Sequence, residues 1–231
     1  MPSAQEFGRS IARTLEPIRT QGPQAAGGVL RRVVEVAIDG VSRLPSAKQA
    51  AARQLAKCGG YADDAVESVI ESHILLGSAQ GFVTNIGGLA TLPIALPANL
   101  TGIAVVQVRM VAAIAHLRGY DLDDQRVRTA LVMCLLGGEQ VAKRIANGKF
   151  PTSPLAVATA PVFDPELDAA VAQAVISGLL ANVGGRNLAL LVTKRIPLIG
   201  GGVGAVMDGM STHQIGKYAK TELVRRRAIR A

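Results

Sequence analysis

Tryptophan is absent from this 231-residue chain, and aromatic side chains make up only 3% of it. A core without large rings has to be filled by Ala, Val, Leu and Ile, with Gly where backbones come close. That composition suits tightly packed helices better than a β-sandwich or barrel. Cysteine occurs twice, as Cys58 and Cys134. Two cysteines in apolar, helix-like surroundings are no disulfide framework, and both are expected to be buried, reduced thiols. Histidine occurs three times, as His73, His116 and His213, and none stands in H-E-x-x-H or another ligand spacing. No metal site is therefore predicted. His73 and His116 flank apolar runs and are expected at helix boundaries. No G-x-x-x-x-G-K-[ST] occurs, so a phosphate-cradling P-loop is not supported. Period-2 alternation is missing, and pairs such as Val105-Val106 sit in helix-spaced context, so no strand is predicted. The N-terminal residues have no apolar h-region or cleavage signal, which points away from secretion and toward the cytoplasm. The longest absence is of charge: no Asp, Glu, Lys or Arg lies between Glu71 and Arg109.

What is present is organised around that gap. Residues 74–108 are apolar but broken by Gly77, Gly81, Gly87, Gly88, Pro93 and Pro97. Residues 196–215 have the same character and carry one charge, Asp208. Hydrophobic residues are 49% of the chain and the mean hydropathy is +0.30. Disorder is thus confined in expectation to the ends. The formal charge is +8, and a basic balance favours an anionic partner, nucleic acid or membrane surface.

The chain divides, in expectation, into an amphipathic N-terminal segment at 1–22 and one helical domain at 23–231. Residues 24–44 place Val29, Val33, Val36 and Val41 at helical spacing. Residues 46–57 are helical and end at Gly59-Gly60. Asp63 and Asp64 suit a helix N-terminus. That helix runs through Val66, Val69, Ile70 and His73 to a close at Gly87-Gly88. Gly77 and Gly81 stand at the GxxxG spacing that lets a second backbone approach. Residues 92–97 (Leu-Pro-Ile-Ala-Leu-Pro) are predicted to form a turn. Residues 98–117 then form a helix apolar nearly all round, hence buried in a large core or in lipid. A further helix is predicted over 124–147, followed by a Pro-rich loop at 150–165. Residues 166–182 read as helical and are broken by Gly184-Gly185. Residues 187–195 form a short helix, and a last helix runs from Ala205 toward Arg227. Pro97 and Pro197, Gly102 and Gly202, Val106 and Val206, and Met110 and Met210 fall at equal offsets, as in a pseudo-repeat.

The run GSAQGFVTNIGGLATLPIALPANL, followed by RMVAAIAHLRGYDLDD, resembles the EcsC family of bacterial proteins. In that family a Gly-rich segment leads into a Leu-Pro turn, an apolar helix and an I-A-x-x-Y-G-like signature. Here the signature reads from Ile114 through Gly119-Tyr120-Asp121, with the Tyr–Gly order reversed. Thr91 stands where the family usually has Asp. RIPLIGGGVGAVMDG is similar to the family's later I-P segment. The likeness spans roughly Val66 to the C-terminus and rests on glycines and apolar positions. It implies an all-helical, cytoplasmic, membrane-associated protein with no established activity. It also implies a link to an ABC transporter, beside which the name-giving member is encoded.

The combined reading is an all-α single domain built around two Gly-rich apolar helical hairpins. Its function is expected to be non-enzymatic: peripheral association with the inner face of the cell membrane, with anionic lipid, or with a membrane protein such as an ABC transporter. Phe82, Ile86, Leu92, Ile94 and Leu96 are the predicted apolar contacts; Lys217, Lys220, Arg225, Arg226 and Arg227 are the cationic ones. A spanning helix needs about 20 apolar residues, and these stretches are interrupted too often for a clean span. Asp208, Arg109 and His213 are candidate buried polar groups. A lone carboxylate in an apolar segment is costly unless paired, and Arg109, Lys194 or Arg195 are its predicted partners. Two other readings compete. A hydrolase-type enzyme could place a site at Asp208 and His213, but the Ser211–His213–Asp208 set lacks a nucleophile elbow, and residues five apart on a helix do not converge on one ion. A nucleic-acid binder rests on charge alone, with no aromatics interleaved among the basic residues. Residues 200–205 match G-x-G-x-x-A but have no strand before them, so no nucleotide or other cofactor is expected.

Overall fold

The uncharged stretch folds as two long helices. The structure, a computed structural model, describes residues 26–40, 45–85, 92–192 and 197–226, with side chains at 30–40, 45–78, 102–178 and 206–226. The described residues form nine helices and no strand. In order they are α1 (Ala26–Asp39), α2 (Ala47–Lys57), α3 (Ala62–Asn85), α4 (Leu92–Leu117) and α5 (Gln125–Cys134), then α6 (Gly137–Ala146), α7 (Pro154–Ala158), α8 (Pro165–Val192) and α9 (Pro197–Glu222). The all-α expectation holds. The amphipathic segment at 1–22 lies outside the described residues.

Local signals place many of the ends. Ser46 and Gln49 form a capping box that starts α2. Gly59 and Gly60 follow it at φ of 62° and 88°, where a side chain would be strained. Asp124 caps α5 by accepting from the Arg126 N–H. Asp164 accepts from the N–H groups of Glu166 and Leu167 at the start of α8.

Several boundaries differ from the sequence expectation. Residues 92–97 are helical, not a turn. Pro93 falls in the first turn, where its missing N–H has no intrahelical partner to lose, and Pro97 gives up one backbone bond within a helix of 26 residues. Residues 124–147 are two helices, because Gly137 takes φ 75° between α5 and α6. The 150–165 loop contains the short helix α7, whose first residue is Pro154. Helix α8 runs through Gly184-Gly185, and α9 begins at Pro197 and includes residues 200–204. A glycine pair costs a helix about 2 kcal/mol relative to alanine, which neighbouring turns can outweigh.

α4 is the axis of the core. Every residue from Gly102 to Ala115 is buried. Val105, Val108, Met110, Val111 and Ile114 are 0% exposed. Each such side chain contributes about 1.5–3 kcal/mol relative to exposure. α3 runs antiparallel to α4: Asp63 pairs with Arg118 at 2.6 Å, and Gly77 faces Ile103. α9 runs antiparallel to α3: Lys220 bonds Glu67, Gly216 faces Ile70, and Gly209 faces Ser78. The α3–α9 seam is the most extensive helix contact among the described residues. It joins the two uncharged stretches to each other through glycines. α1 and α2 cover α4, while α7 and α8 pack on α5, and α6 on α9. One continuous cluster of buried apolar residues links α1 through α9.

At two of the pseudo-repeat's four paired positions the burial differs. Val106 is 2% exposed and Val206 60%; Met110 is 0% exposed and Met210 59%. α4 is enclosed on all sides, whereas α9 keeps one face in solvent, so equal offsets meet unlike surroundings.

Candidate functional site

Two features stand out from an otherwise conventional core, and the first is a set of exposed apolar side chains. On α3, Leu75 is 72% exposed and Leu76 42%; on α9, Val206 is 60%, Met207 50% and Met210 59% exposed. The antiparallel register sets Gly77 against Asp208 and Thr212, so these five residues fall at a similar height, near the middle of α3 and α9. Large apolar side chains clustered in solvent mark a contact surface more often than chance. Phe82 continues α3 about 10 Å beyond Leu75, and Leu92, Ile94 and Leu96 belong to the start of α4. Their side chains lie outside the described set, and Ile86 lies outside the described residues altogether.

α9 grades from apolar to cationic along its solvent face. Val206, Met207 and Met210 are followed by His213, Gln214 and Lys217, all exposed. Lys217 stands about 10 Å along the axis from Met210. The remaining predicted cations are placed differently. Lys220 is half-buried and bonds Glu67. Arg225 is exposed. Arg226 stacks over Tyr120 at 5.6 Å, and its N–H donates to the Arg118 carbonyl at 3.0 Å. The Tyr120 hydroxyl donates to the Val224 carbonyl at 3.0 Å. The segment after α9 is thus fastened at the far end of α4, about 20 Å or more from Met210. Arg227 lies outside the described residues. Of the predicted cationic contacts that are described, Lys217 is the exposed one nearest to Met210 along the chain.

The second feature is polar and interior. Asp208 and Thr212 are 0% exposed and Gln107 5%. Gln107 Nε2 donates to Ser211 Oγ at 3.2 Å and to Thr212 Oγ1 at 3.5 Å, and Thr212 Oγ1 donates to the Asp208 carbonyl at 2.7 Å. Asp208 is partnered within the fold. Of its predicted partners, Lys194 and Arg195 lie outside the described residues. His213 points to solvent while Asp208 is sealed. The structure therefore does not bring Ser211, His213 and Asp208 together as a triad. Among the described residues no group of His, Cys, Asp and Glu is arranged to hold a metal ion.

Deeper along the same helices, His73 is 3% exposed and Arg109 8%. His73 is not a boundary residue. It continues the Val66, Val69, Ile70 stripe at i, i+3, i+4 and i+7, a spacing that marks it as inward-facing. His116 is exposed, as a boundary residue would be. His73 Nδ1 bonds the Val69 carbonyl at 2.8 Å, while its Nε2 is buried without a hydrogen-bond partner. Burial, and then the Arg109 charge, push His73 down to about 4, so it is neutral. Burial, and then the charge of Arg53 on α2, lower Arg109 to about 10. Arg109 Nε is likewise sealed without an acceptor. Of the three candidate buried polar groups in the sequence, Arg109 and Asp208 are buried and His213 is exposed.

Fold and site together define, among the described residues, an all-helical protein with exposed apolar side chains on α3 and α9 and a polar interior that includes Gln107, Asp208, His73 and Arg109. Among the described residues no helix is long and apolar enough to cross a membrane. Comparison with protein-family models, curated proteins and solved structures finds no match to this chain.

Proposed function

We propose that this protein binds peripherally to anionic membrane surfaces, with the exposed apolar side chains of α3 and α9 entering the bilayer interface. The reading is carried by one observation: Leu75, Leu76, Val206, Met207 and Met210 are exposed at a similar height on α3 and α9, in stretches whose one charged residue, Asp208, is sealed from solvent. Removing those side chains from water is favourable by about 1 kcal/mol or more each. The gradient along α9 supplies orientation. With Met207 and Met210 among acyl chains, His213 and Lys217 come to headgroup height, because interfacial segments enter by about 5–10 Å. A lysine there adds about 1 kcal/mol against anionic lipid. The likeness to the EcsC family agrees with a membrane-associated role. A catalytic reading is weaker, since Asp208 and His213 face opposite ways.

Vesicle flotation tests the reading. The protein should float with phosphatidylcholine vesicles containing phosphatidylglycerol, and less at high salt. Leu75→Asp with Met207→Asp, both at exposed positions, should reduce the bound fraction at least about tenfold, since two such losses exceed 1.4 kcal/mol. Lys217→Ala should weaken binding more than Arg225→Ala. Absence of flotation at low salt with the anionic vesicles sinks the reading.

A further inference from the structure

Of the three histidines, His116 and His213 are exposed and His73 is sealed. Its Nδ1 lies 2.8 Å from the Val69 carbonyl, which can only accept, so Nδ1 carries the ring proton. Nε2 therefore keeps a lone pair, and it is buried without a partner. A second proton would create an N–H at Nε2 with nothing to accept it, and a charge cut off from water. Bond geometry and burial thus fix the sign: the packed fold holds this ring neutral. The lowering of His73 to about 4 agrees with it.

The ring is packed among the helices that carry the exposed apolar side chains. Gly77 meets Ile103 and Asp63 meets Arg118, so His73 passes α4 at the level of Gln107. Ile70 and Ile74, on either side of it in sequence, meet α9 at Gly216 and Gly209. On α3 itself, Ser72 Oγ lies 3.4 Å from Nδ1 and donates to the Val69 carbonyl, and Glu71 is exposed. From α4 come Gln107, whose amide nitrogen donates to Ser211 and Thr212, and Arg109, whose charge opposes a second one. From α9, Thr212 donates to the Asp208 carbonyl at the level of Gly77, one turn from His73; Asp208 is partnered and His213 is exposed. From α2, Gln54 accepts from Ser68, and Arg53 is exposed. A proton at Nε2 meets water when α3 lifts from α4. That motion carries Leu75 and Leu76, two and three residues further on and 72% and 42% exposed.

We infer that His73 is an acid-released catch on α3: a proton taken from water onto Nε2 frees this helix from α4, and the freed helix offers the bilayer more apolar surface. The inference rests on the proposed membrane contact and adds its regulation. In the released form the imidazole titrates near 6.5, and in the packed form at about 4. The packed form is therefore favoured above about pH 6.5 and loses ground as pH falls toward 4. Linkage between these two values raises the released fraction about 25-fold between pH 7.5 and pH 5. An anionic leaflet adds to this, since a surface potential near −30 mV concentrates protons about threefold.

The first measurement is hydrogen exchange of the full chain without vesicles, at pH 7.5 and pH 5, corrected for intrinsic rates. Peptides from residues 66–77 of α3 should lose about 25-fold of their protection at pH 5, while α5 keeps its own. His73→Gln, neutral at both values, should keep α3 protected. Equal loss in α3 and α5, or the same loss in His73→Gln, overturns the catch. Should that variant fail to give the helical circular dichroism spectrum, NMR titration of the wild-type His73 ring decides. A midpoint below about 5 that coincides with the loss in α3 upholds the catch, and a midpoint near 6.5 with α3 still protected overturns it. The second measurement is flotation on phosphatidylcholine vesicles containing phosphatidylglycerol, at both pH values and constant ionic strength. Apparent affinity should rise about 25-fold more in the wild type than in His73→Gln; an equal rise in both overturns the link to the membrane. If the wild type floats at neither pH, the membrane reading falls, and exchange in α3 still judges the catch.

Discussion

Gly216 holds the α3–α9 seam closed, and replacing it with alanine tests whether close backbone approach organises this fold. The added Cβ would meet Ile70 Cγ2 at 3.0 Å, Ile70 Cγ1 at 3.1 Å and Met110 Sδ at 3.1 Å. Ile70 is 2% exposed and Met110 0%. A β-branched side chain inside a helix is confined to essentially one χ1 rotamer, so Ile70 cannot turn both carbons away. Met110 can adjust, but only into a filled core. Overpacking of this kind costs about 1–3 kcal/mol. Against it stands the helix propensity of alanine over glycine, about 1 kcal/mol. Gly216→Ala should therefore change stability by about 0–2 kcal/mol, in the destabilising direction. Gly178 is the control. It lies inside α8, and a Cβ there meets nothing within 4 Å. Gly178→Ala should stabilise by about 0.5–1 kcal/mol. The two variants should differ by about 1–3 kcal/mol in urea unfolding followed by circular dichroism, with Tm moving roughly 2–4 °C per kcal/mol for a chain of this size. If both alanines raise stability equally, the seam has room to spare and the account of glycine packing is wrong.

Two further outcomes follow from buried titratable groups. His73 falls from 6.5 to about 4 in the folded protein. Its folded pKa lies below its unfolded one, so this stability is present above about pH 6.5 and is lost as pH falls toward 4. Linkage gives a loss of about 2 kcal/mol between pH 7.5 and pH 5 from this group. A plot of unfolding free energy against pH should lose that slope in His73→Gln, and an unchanged slope would show that His73 titrates normally. Cys134 is 0% exposed, and burial, then the Glu222 charge, push its thiol well above the ordinary range, whereas Cys58 is half-buried. A thiol reagent at pH 8 should modify one cysteine, Cys58, in the folded protein and both in urea; rapid labelling of Cys134 without denaturant would contradict its burial.

Much of the architecture was legible from pattern. The absence of aromatics and of period-2 alternation excluded sheet, and the described residues contain none. The apolar circumference of residues 98–117 announced a buried helix, and Gly102 to Ala115 are buried on every side. Ser46, Asp63, Asp124 and Gly59 marked ends correctly, because caps are local chemistry. Readings that leaned on glycine and proline as breakers fared worse. Residues 92–97, Gly184-Gly185 and residues 200–204 are helical. Their local penalties of about 1 kcal/mol per glycine are small beside what a long helix gains from its neighbours. The expectation that both cysteines are buried held for Cys134 and only in part for Cys58.

The candidate site divides in the same way. The uncharged stretches could be found by inspection, and so could the isolation of Asp208. That Lys220 and Arg226 are occupied by Glu67 and Tyr120 could not, since their partners lie far away in sequence. Nor could the seam that leaves Arg109 and His73 without hydrogen-bonding neighbours at Nε and Nε2.

Sequence alone determined that this chain is helical, that its helices meet through small residues, and that two segments avoid charge. These follow from periodicity and composition, which act over a few turns. Tertiary structure alone decided which charges remain free, because pairing depends on the register of α3, α4 and α9. It also decided that Met210 and Lys217 are both exposed along α9, while Arg225 and Arg226 lie beyond its C-terminal end. About 18 Å of helix axis separates Met210 from Glu222, where α9 ends, a distance that closeness along the chain does not reveal.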